Sequence, residues 1–310
     1  MLDHLPDQVS IYEVSPRDGL QNERHPVSLE GKQQLIGALL NAGLTRIEIT
    51  SFVSPRWIPQ LADSAELAEK CIPPAGVRFS ALVPNSKGLE RAIAVGMKEV
   101  AVFLSASETH NRKNTNKTIE QALSTYQEVI DVAKSHQVKV RGYISTVWGC
   151  PYEGAVDVER VAVIAKKLIA MGCYEISLGD TIGVGTPLQT REICQRLLSE
   201  LPSEQLALHL HDTRGTALSN ALVGLEMGLR TFDTSIAGVG GCPYAPGAAG
   251  NLATEDLVYM LHGMGVHTGV DLPKLIEAGN VAESVIGRRL PGKVHLAGPF
   301  ERRSIPPQYN

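Results

Sequence analysis

Short apolar runs and stretches of helical periodicity take turns along this chain eight times, and that alternation restricts the fold more than any other feature. The runs 9–15, 46–50, 78–84, 99–105, 138–146, 175–180, 206–212 and 231–238 read as strands. Helical patterns follow them over 28–43, about 60–70, 86–96, 118–135, 157–171, 187–200, 215–228 and 254–264. Eight βα units in about 250 residues predict an α/β chain folded as a TIM (β/α)8 barrel. A doubly wound open sheet is the competing arrangement, but its glycine-rich phosphate turn after the first strand is missing. The barrel is expected over about 9–265, extra C-terminal helices over about 270–310, and a single catalytic domain over 1–310.

Composition narrows the function classes. The chain has 310 residues, 43% of them hydrophobic, and a formal net charge of −4. That length suits one large domain with a sizeable core. The charge offers nothing to nucleic acid or to an anionic membrane. No apolar run approaches the ~18 residues needed to span a bilayer. MLDHLPDQVS has neither the basic segment nor the apolar stretch of a leader peptide. The cysteines (Cys71, Cys150, Cys173, Cys194 and Cys242) are odd in number and lack a C-x-x-C pair. Reduced thiols and a cytoplasmic location are therefore expected.

In a TIM barrel the chemistry sits where strands end and βα loops begin. The run LALHLHDTRG (206–215) ends an apolar strand in His209 and His211. Residues two apart on a strand share a face, so the two imidazoles point the same way. A bound cation gives such a pair a common purpose. Other strand ends offer oxygen ligands. SPRDGLQNE (15–23) carries Arg17 and Asp18, EITSF carries Glu48, and LGDTIG carries Asp180. The loop AGVGGCPYAPGAAGNLATED (237–256) carries Cys242, Asn251, Glu255 and Asp256. A mixed nitrogen and oxygen set suits an octahedral divalent cation with positions left for substrate. Arg141 is a candidate partner for Glu48 or Asp180, or a structural arginine inside the barrel. Cys242 lies between glycines and a proline rather than on an apolar face, and those glycines predict a segment that closes over the site. The other four cysteines sit within elements and read as core.

Several of these motifs act together. SPRDGLQNE, IEITSFVSPRWIPQ, RGYIS, GCPYEG, CYEISLGDTIGVGTP, HLHDTRG and AGVGGCPYAPGAAGNLATEDLVYMLHG resemble the 3-hydroxy-3-methylglutaryl-CoA lyases, from about residue 9 to residue 280. These are metal-dependent TIM-barrel enzymes marked by an Asp-Arg-Glu constellation. The HxHD motif is shared with isopropylmalate and homocitrate synthases, whereas GGCPYAPGAAGN with RDGLQNE is far more specific.

The resemblance implies cleavage of 3-hydroxy-3-methylglutaryl-CoA to acetyl-CoA and acetoacetate, with Mg or Mn as the divalent cation. It implies Asp18, His209 and His211 as metal ligands, with Asn251 completing or buttressing the shell. Arg17 would stabilise the enolate oxygen. Asp18, helped by His209, would take the hydroxyl proton. Glu48 would orient Arg17 or join the chemistry, Asp180 would stand close to the metal or hydroxyl, and Cys242 would protonate the enolate. The implied partners are a small acyl-CoA and a second copy of the chain as a homodimer, with no nucleic acid or membrane. Arg112, Lys113 and Lys117 read equally as a solvated loop or as partners of CoA phosphates. The family loop commonly has other residues where this chain has Val239 and Ala249.

Two other enzymatic readings remain at this level. One is a lyase for a longer-tailed 3-hydroxy-3-alkylglutaryl-CoA. The other is an enzyme condensing acetyl-CoA with a keto acid, although such synthases usually carry a region beyond the barrel. Leucine degradation is one physiological setting that fits the lyase reading. A non-catalytic binder has no use for a proton donor such as Cys242.

Overall fold

The computed structural model describes residues 5–241, 250–298 and 300. Cys242 and Ala249 lie outside the described residues. Eight parallel strands close into a barrel in chain order. They are β1 (Ser10–Glu13), β2 (Arg46–Ser51), β3 (Arg78–Leu82), β4 (Glu99–Ser105), β5 (Lys139–Ser145), β6 (Ile176–Asp180), β7 (Leu206–Leu210) and β8 (Thr231–Thr234). Closure is made by β8 against β1, from Ser10 opposite Thr231 to Glu13 opposite Thr234.

Helices alternate with the strands. They are α1 (Leu29–Asn41), α2 (Ser64–Lys70), α3 (Ser86–Ala94), α4 (Glu108–Thr115), α5 (Ile119–Ser135), α6 (Val158–Met171), α7 (Pro187–Leu198), α8 (Ala217–Glu226) and α9 (Thr254–Gly263). Beyond the barrel come α10 (Leu272–Ile286), which packs on α1, and α11 (Lys293–Ala297). The apolar core fills the space between strands and helices and includes Ile47 and Ile49 of β2 and Leu35 and Leu39 of α1.

Two local features depart from the sequence reading. The stretch after β4 holds α4, a polar helix with no apolar periodicity to betray it. Caps define it instead: Ser107 Oγ accepts from the N–H of His110, and Asn116 ends the helix in the left-handed region at φ 55°. The last strand stops at Thr234, and a tight turn at Ile236–Gly238 follows, with Ala237 at φ 48°.

TIM-barrel interiors are usually filled by branched apolar side chains. This one is polar. Arg46 of β2 reaches across to Glu175, with Nη2 to Oε2 at 2.8 Å and Nη1 to Oε1 at 3.2 Å. Arg141 of β5 donates from Nε to Glu175 at 2.6 Å and from both Nη atoms to Asp233 of β8. The rings of Tyr12 and Tyr143 alternate with the guanidinium groups. Arg46 lies 4.7 Å and Arg141 4.0 Å from the Tyr12 centroid, while Arg141 lies 4.9 Å and Arg17 5.5 Å from that of Tyr143. This column links Arg46 at the N-terminal end of β2 to Arg17 beyond β1. Cation–π contact and ion pairing together satisfy charges that burial would otherwise make costly.

Candidate active site

Four chain segments converge at the C-terminal end of the barrel. The first is a wide helical turn at Ser15–Gly19, after β1. The N–H groups of Arg17, Asp18 and Gly19 all point to the carbonyl of Val14, at 3.1, 2.8 and 3.2 Å. Buried Glu13 braces this turn by accepting from Ser15 N at 3.0 Å, and it holds the β8 side by accepting from Ile236 N at 2.9 Å. The turn delivers Arg17 and Asp18 side by side. Arg17 donates from Nη1 to Asp18 Oδ1 at 2.5 Å and from Nε to Glu48 Oε2, so one guanidinium joins two carboxylates.

The second segment is the end of β7. His209 and His211 project to one side, as their spacing requires, and their Nε2 atoms stand 3.3 Å apart. The third segment is 250–253, which returns from the glycine-rich loop and wedges between the ends of β7 and β8. Leu252 N donates to Leu210 O at 2.8 Å, and Ser235 N donates to Leu252 O at 3.0 Å. A bridge between His211 and Asn251 sets Asn251 beside the imidazoles. Asn251 Nδ2 donates to Asp18 Oδ2 at 2.9 Å, while its Oδ1 is buried without a hydrogen-bond partner among the described residues. The fourth segment is β2, which supplies Glu48.

Asp18, His209 and His211 each offer a ligand atom, and these atoms lie within 4.8 Å of one another. The set fits a divalent cation. Burial raises the Asp18 pKa, but Arg17, His209 and His211 outweigh it and bring it to about 2. Burial, reinforced by His209, lowers His211 to about 4. At neutral pH the carboxylate is therefore ionised and His211 neutral, the states in which both bind metal. The orphaned Asn251 Oδ1 is a further oxygen of the right kind. The buried Tyr143 hydroxyl and Glu48 Oε1 also lack hydrogen-bond partners among the described residues.

Other sequence candidates are placed differently. Asp180 ends β6, yet its carboxylate folds into its own loop, accepting from Val184 N at 3.0 Å and Gly185 N at 2.8 Å. Burial raises its pKa despite those bonds. Glu255 and Asp256 turn away from the imidazoles. Glu255 accepts from Ala237 N at 2.7 Å, and Asp256 accepts from Val294 N at 2.7 Å at the start of α11. Arg141 pairs with neither Glu48 nor Asp180 but with Asp233 and Glu175.

Asp233, Glu13, Glu175 and Arg46 escaped the sequence reading. The signal was a charged residue at an alternate position of an apolar strand, as in TFDTS and RIEIT. In a barrel such a residue faces inward rather than to solvent.

Barrel and site together define a class: a TIM-barrel protein with a candidate divalent-cation centre where its strands end. The family model described as HMGL-like matches residues 8–282, and the chain belongs to that family. The mitochondrial hydroxymethylglutaryl-CoA lyase of Macaca fascicularis is 52% identical over 296 residues, covering 96% of this chain and 91% of the relative. The 3-hydroxy-3-isohexenylglutaryl-CoA/hydroxy-methylglutaryl-CoA lyase of Pseudomonas aeruginosa is 51% identical over 285 residues, covering 92% and 95%. A crystal structure of hydroxymethylglutaryl-CoA lyase from Pseudomonas aeruginosa superposes with a TM-score of 0.93 at 49% identity, covering 96% of this chain and 98% of the other.

Proposed function

We propose that this protein cleaves 3-hydroxy-3-methylglutaryl-CoA into acetyl-CoA and acetoacetate. The observation that carries this reading is the convergence of Asp18, His209 and His211 directly beside an Arg17 that is already paired with Asp18.

The reaction is a retro-Claisen cleavage. The tertiary hydroxyl loses its proton, the carbon–carbon bond breaks, and the electron pair passes to the acetyl-CoA enolate, which then takes up a proton. Asp18, His209 and His211 would hold a divalent cation, Mg or Mn, and Asn251, which braces Asp18 through Nδ2, would complete or buttress the set. When bound, the cation supplies Lewis acidity at the substrate's hydroxyl and carboxylate oxygens. Asp18, helped by His209, accepts the hydroxyl proton. A carboxylate with a pKa of about 2 is a weak base, so this step needs an acidified hydroxyl.

Arg17 places a fixed positive charge at the thioester oxygen where negative charge develops. Glu48 locks the guanidinium through Nε, and Tyr143 supports it from the ring side. Asp180 shapes the loop over 183–185. Cys242, outside the described residues, is assigned the return of a proton to the enolate carbon. A thiol is a competent proton donor for that task.

The substrate is a small acyl-CoA and the chain acts as a homodimer in the cytoplasm, with leucine degradation as its setting. No helix among the described residues is long and apolar enough to cross a membrane.

The test is acetoacetate release from 3-hydroxy-3-methylglutaryl-CoA by EDTA-stripped protein, before and after Mg or Mn is added. Release that depends on the metal is expected. No release with any divalent cation overturns the assignment.

A further inference from the structure

His209 has two ring nitrogens, and the structure gives each a different neighbour. Nε2 faces His211 and Asp18, while Nδ1 stands 3.3 Å from Oδ2 of Asp233. The pair is set by register: His209 on β7 lies opposite Asp233 on β8. Asp233 is buried, and its contact with the candidate ligands is the one to this ring.

Its carboxylate is held from three other directions. Arg141 Nη2 donates to Oδ1 at 2.7 Å, Arg141 Nη1 to Oδ2 at 3.0 Å, and Ser177 Oγ to Oδ2 at 2.7 Å. The two-point guanidinium fork fixes the plane of the carboxylate. Arg141 is anchored in turn by Glu175 and by the rings of Tyr12 and Tyr143. Asp233 therefore cannot rotate to suit His209, and His209 must suit Asp233.

An ionised carboxylate offers only acceptors. Its contact with Nδ1 is favourable only when Nδ1 carries the ring proton. In the neutral ring the other nitrogen is then bare, and a bare nitrogen is what a metal requires. We propose that Asp233, fixed by Arg141 and Ser177, is a positioning residue that sets the tautomer and orientation of His209 and so builds cation affinity into the metal-free protein. The proposal rests on the reading of Asp18, His209 and His211 as a metal site. It adds to that reading the residues that prepare the site before any ion arrives, and partners of this kind typically contribute about 10–100-fold in affinity.

Two measurements on the full chain test it. The first uses EDTA-stripped wild-type protein with 15N-labelled histidines, the His209 signals being assigned by their absence in His209→Gln. Nitrogen NMR is expected to show the proton on Nδ1 and an unprotonated Nε2. A proton on Nε2 overturns the proposal without any change at Asp233. The second is a Mn titration followed by electron paramagnetic resonance for wild type and Asp233→Asn. The amide can turn an N–H toward Nδ1 and reverse the tautomer, so affinity should fall about 10–100-fold. A folded Asp233→Asn that binds Mn as tightly as wild type reduces Asp233 to a structural ion-pair partner and overturns the proposal. Should the variant not fold, the wild-type tautomer decides. Failure of the lyase reading is distinguishable, because it appears as absent acetoacetate release whatever the tautomer.

Discussion

The Nε2 atoms of His209 and His211 stand 3.3 Å apart. Two bare imidazole nitrogens repel at that distance unless a positive charge lies between or beside them. Asp18 Oδ2 lies 3.8 Å from His209 Nε2 and completes a triangle of candidate ligand atoms. Removing one corner should therefore be read first in metal affinity. His211→Ala is expected to weaken Mn binding by more than about 100-fold, exceeding the loss typical of an outer partner. Calorimetric Mn titration of both proteins checks this, and unchanged affinity removes His211 from the metal site.

Arg17 serves two carboxylates through different nitrogens, a geometry that lysine cannot copy. Arg17→Lys keeps the charge and loses the fork. The expected result is a fall in kcat on the order of 10²–10³-fold, typical of removing one donor to a developing oxyanion, with a much smaller change in KM. Steady-state kinetics on the metal-loaded variant check this, and a raised KM with kcat unchanged would assign Arg17 to substrate binding instead.

Asp180 makes a contrasting case. Its two oxygens hold the N–H groups of Val184 and Gly185. Asp180→Ala leaves two loop donors unpaired, so unfolding in urea should show a loss of about 1–3 kcal/mol for each donor that stays buried. The accompanying fall in kcat is expected to be smaller than that of Arg17→Lys. The reverse ranking would place Asp180 in the chemistry.

Gly250 precedes Asn251 at the point where the returning chain passes the β8 turn. A Cβ there would lie 2.1 Å from Gly238 O and 2.7 Å from Gly240 O, both backbone atoms. Neither can swing aside, so Gly250→Ala must displace the segment that carries Asn251. Overpacking of this kind costs about 1–3 kcal/mol. Denaturation and Mn titration should both report it, and a variant matching wild type in both would show that the segment shifts freely.

Glu255 supplies the pH dependence. Burial, with Glu13 and Asp256 nearby, raises its pKa from 4.5 to about 8. A carboxyl raised in the folded state is protonated there while the unfolded chain has already ionised. Its contribution to stability is thus complete below about pH 4.5, declines as pH rises, and is gone above about pH 8. Glu255→Gln mimics the protonated form and should flatten that decline. Thermal unfolding from pH 5 to 9 is expected to show the variant gaining on wild type up to about pH 8 and then holding its lead. Parallel curves would mean that Glu255 is ionised in the fold throughout.

How much of this was legible in the chain can be judged from particular residues. The barrel was, because strand and helix carry different hydrophobic periods and eight alternations leave few architectures. His209 and His211 were as well, since a two-residue spacing places side chains on one face whatever surrounds the strand. Polar α4 was not, because its definition lies in caps rather than in periodicity. The pairing of Arg141 was decided only in three dimensions. From the sequence it was a candidate partner of Glu48 or Asp180, or a structural arginine inside the barrel; it took neither carboxylate, and closing the barrel set it inside against Asp233 and Glu175. Local pattern determines which face a side chain occupies. Barrel closure and register decide which strands meet across the interior, and therefore which buried charge finds which partner.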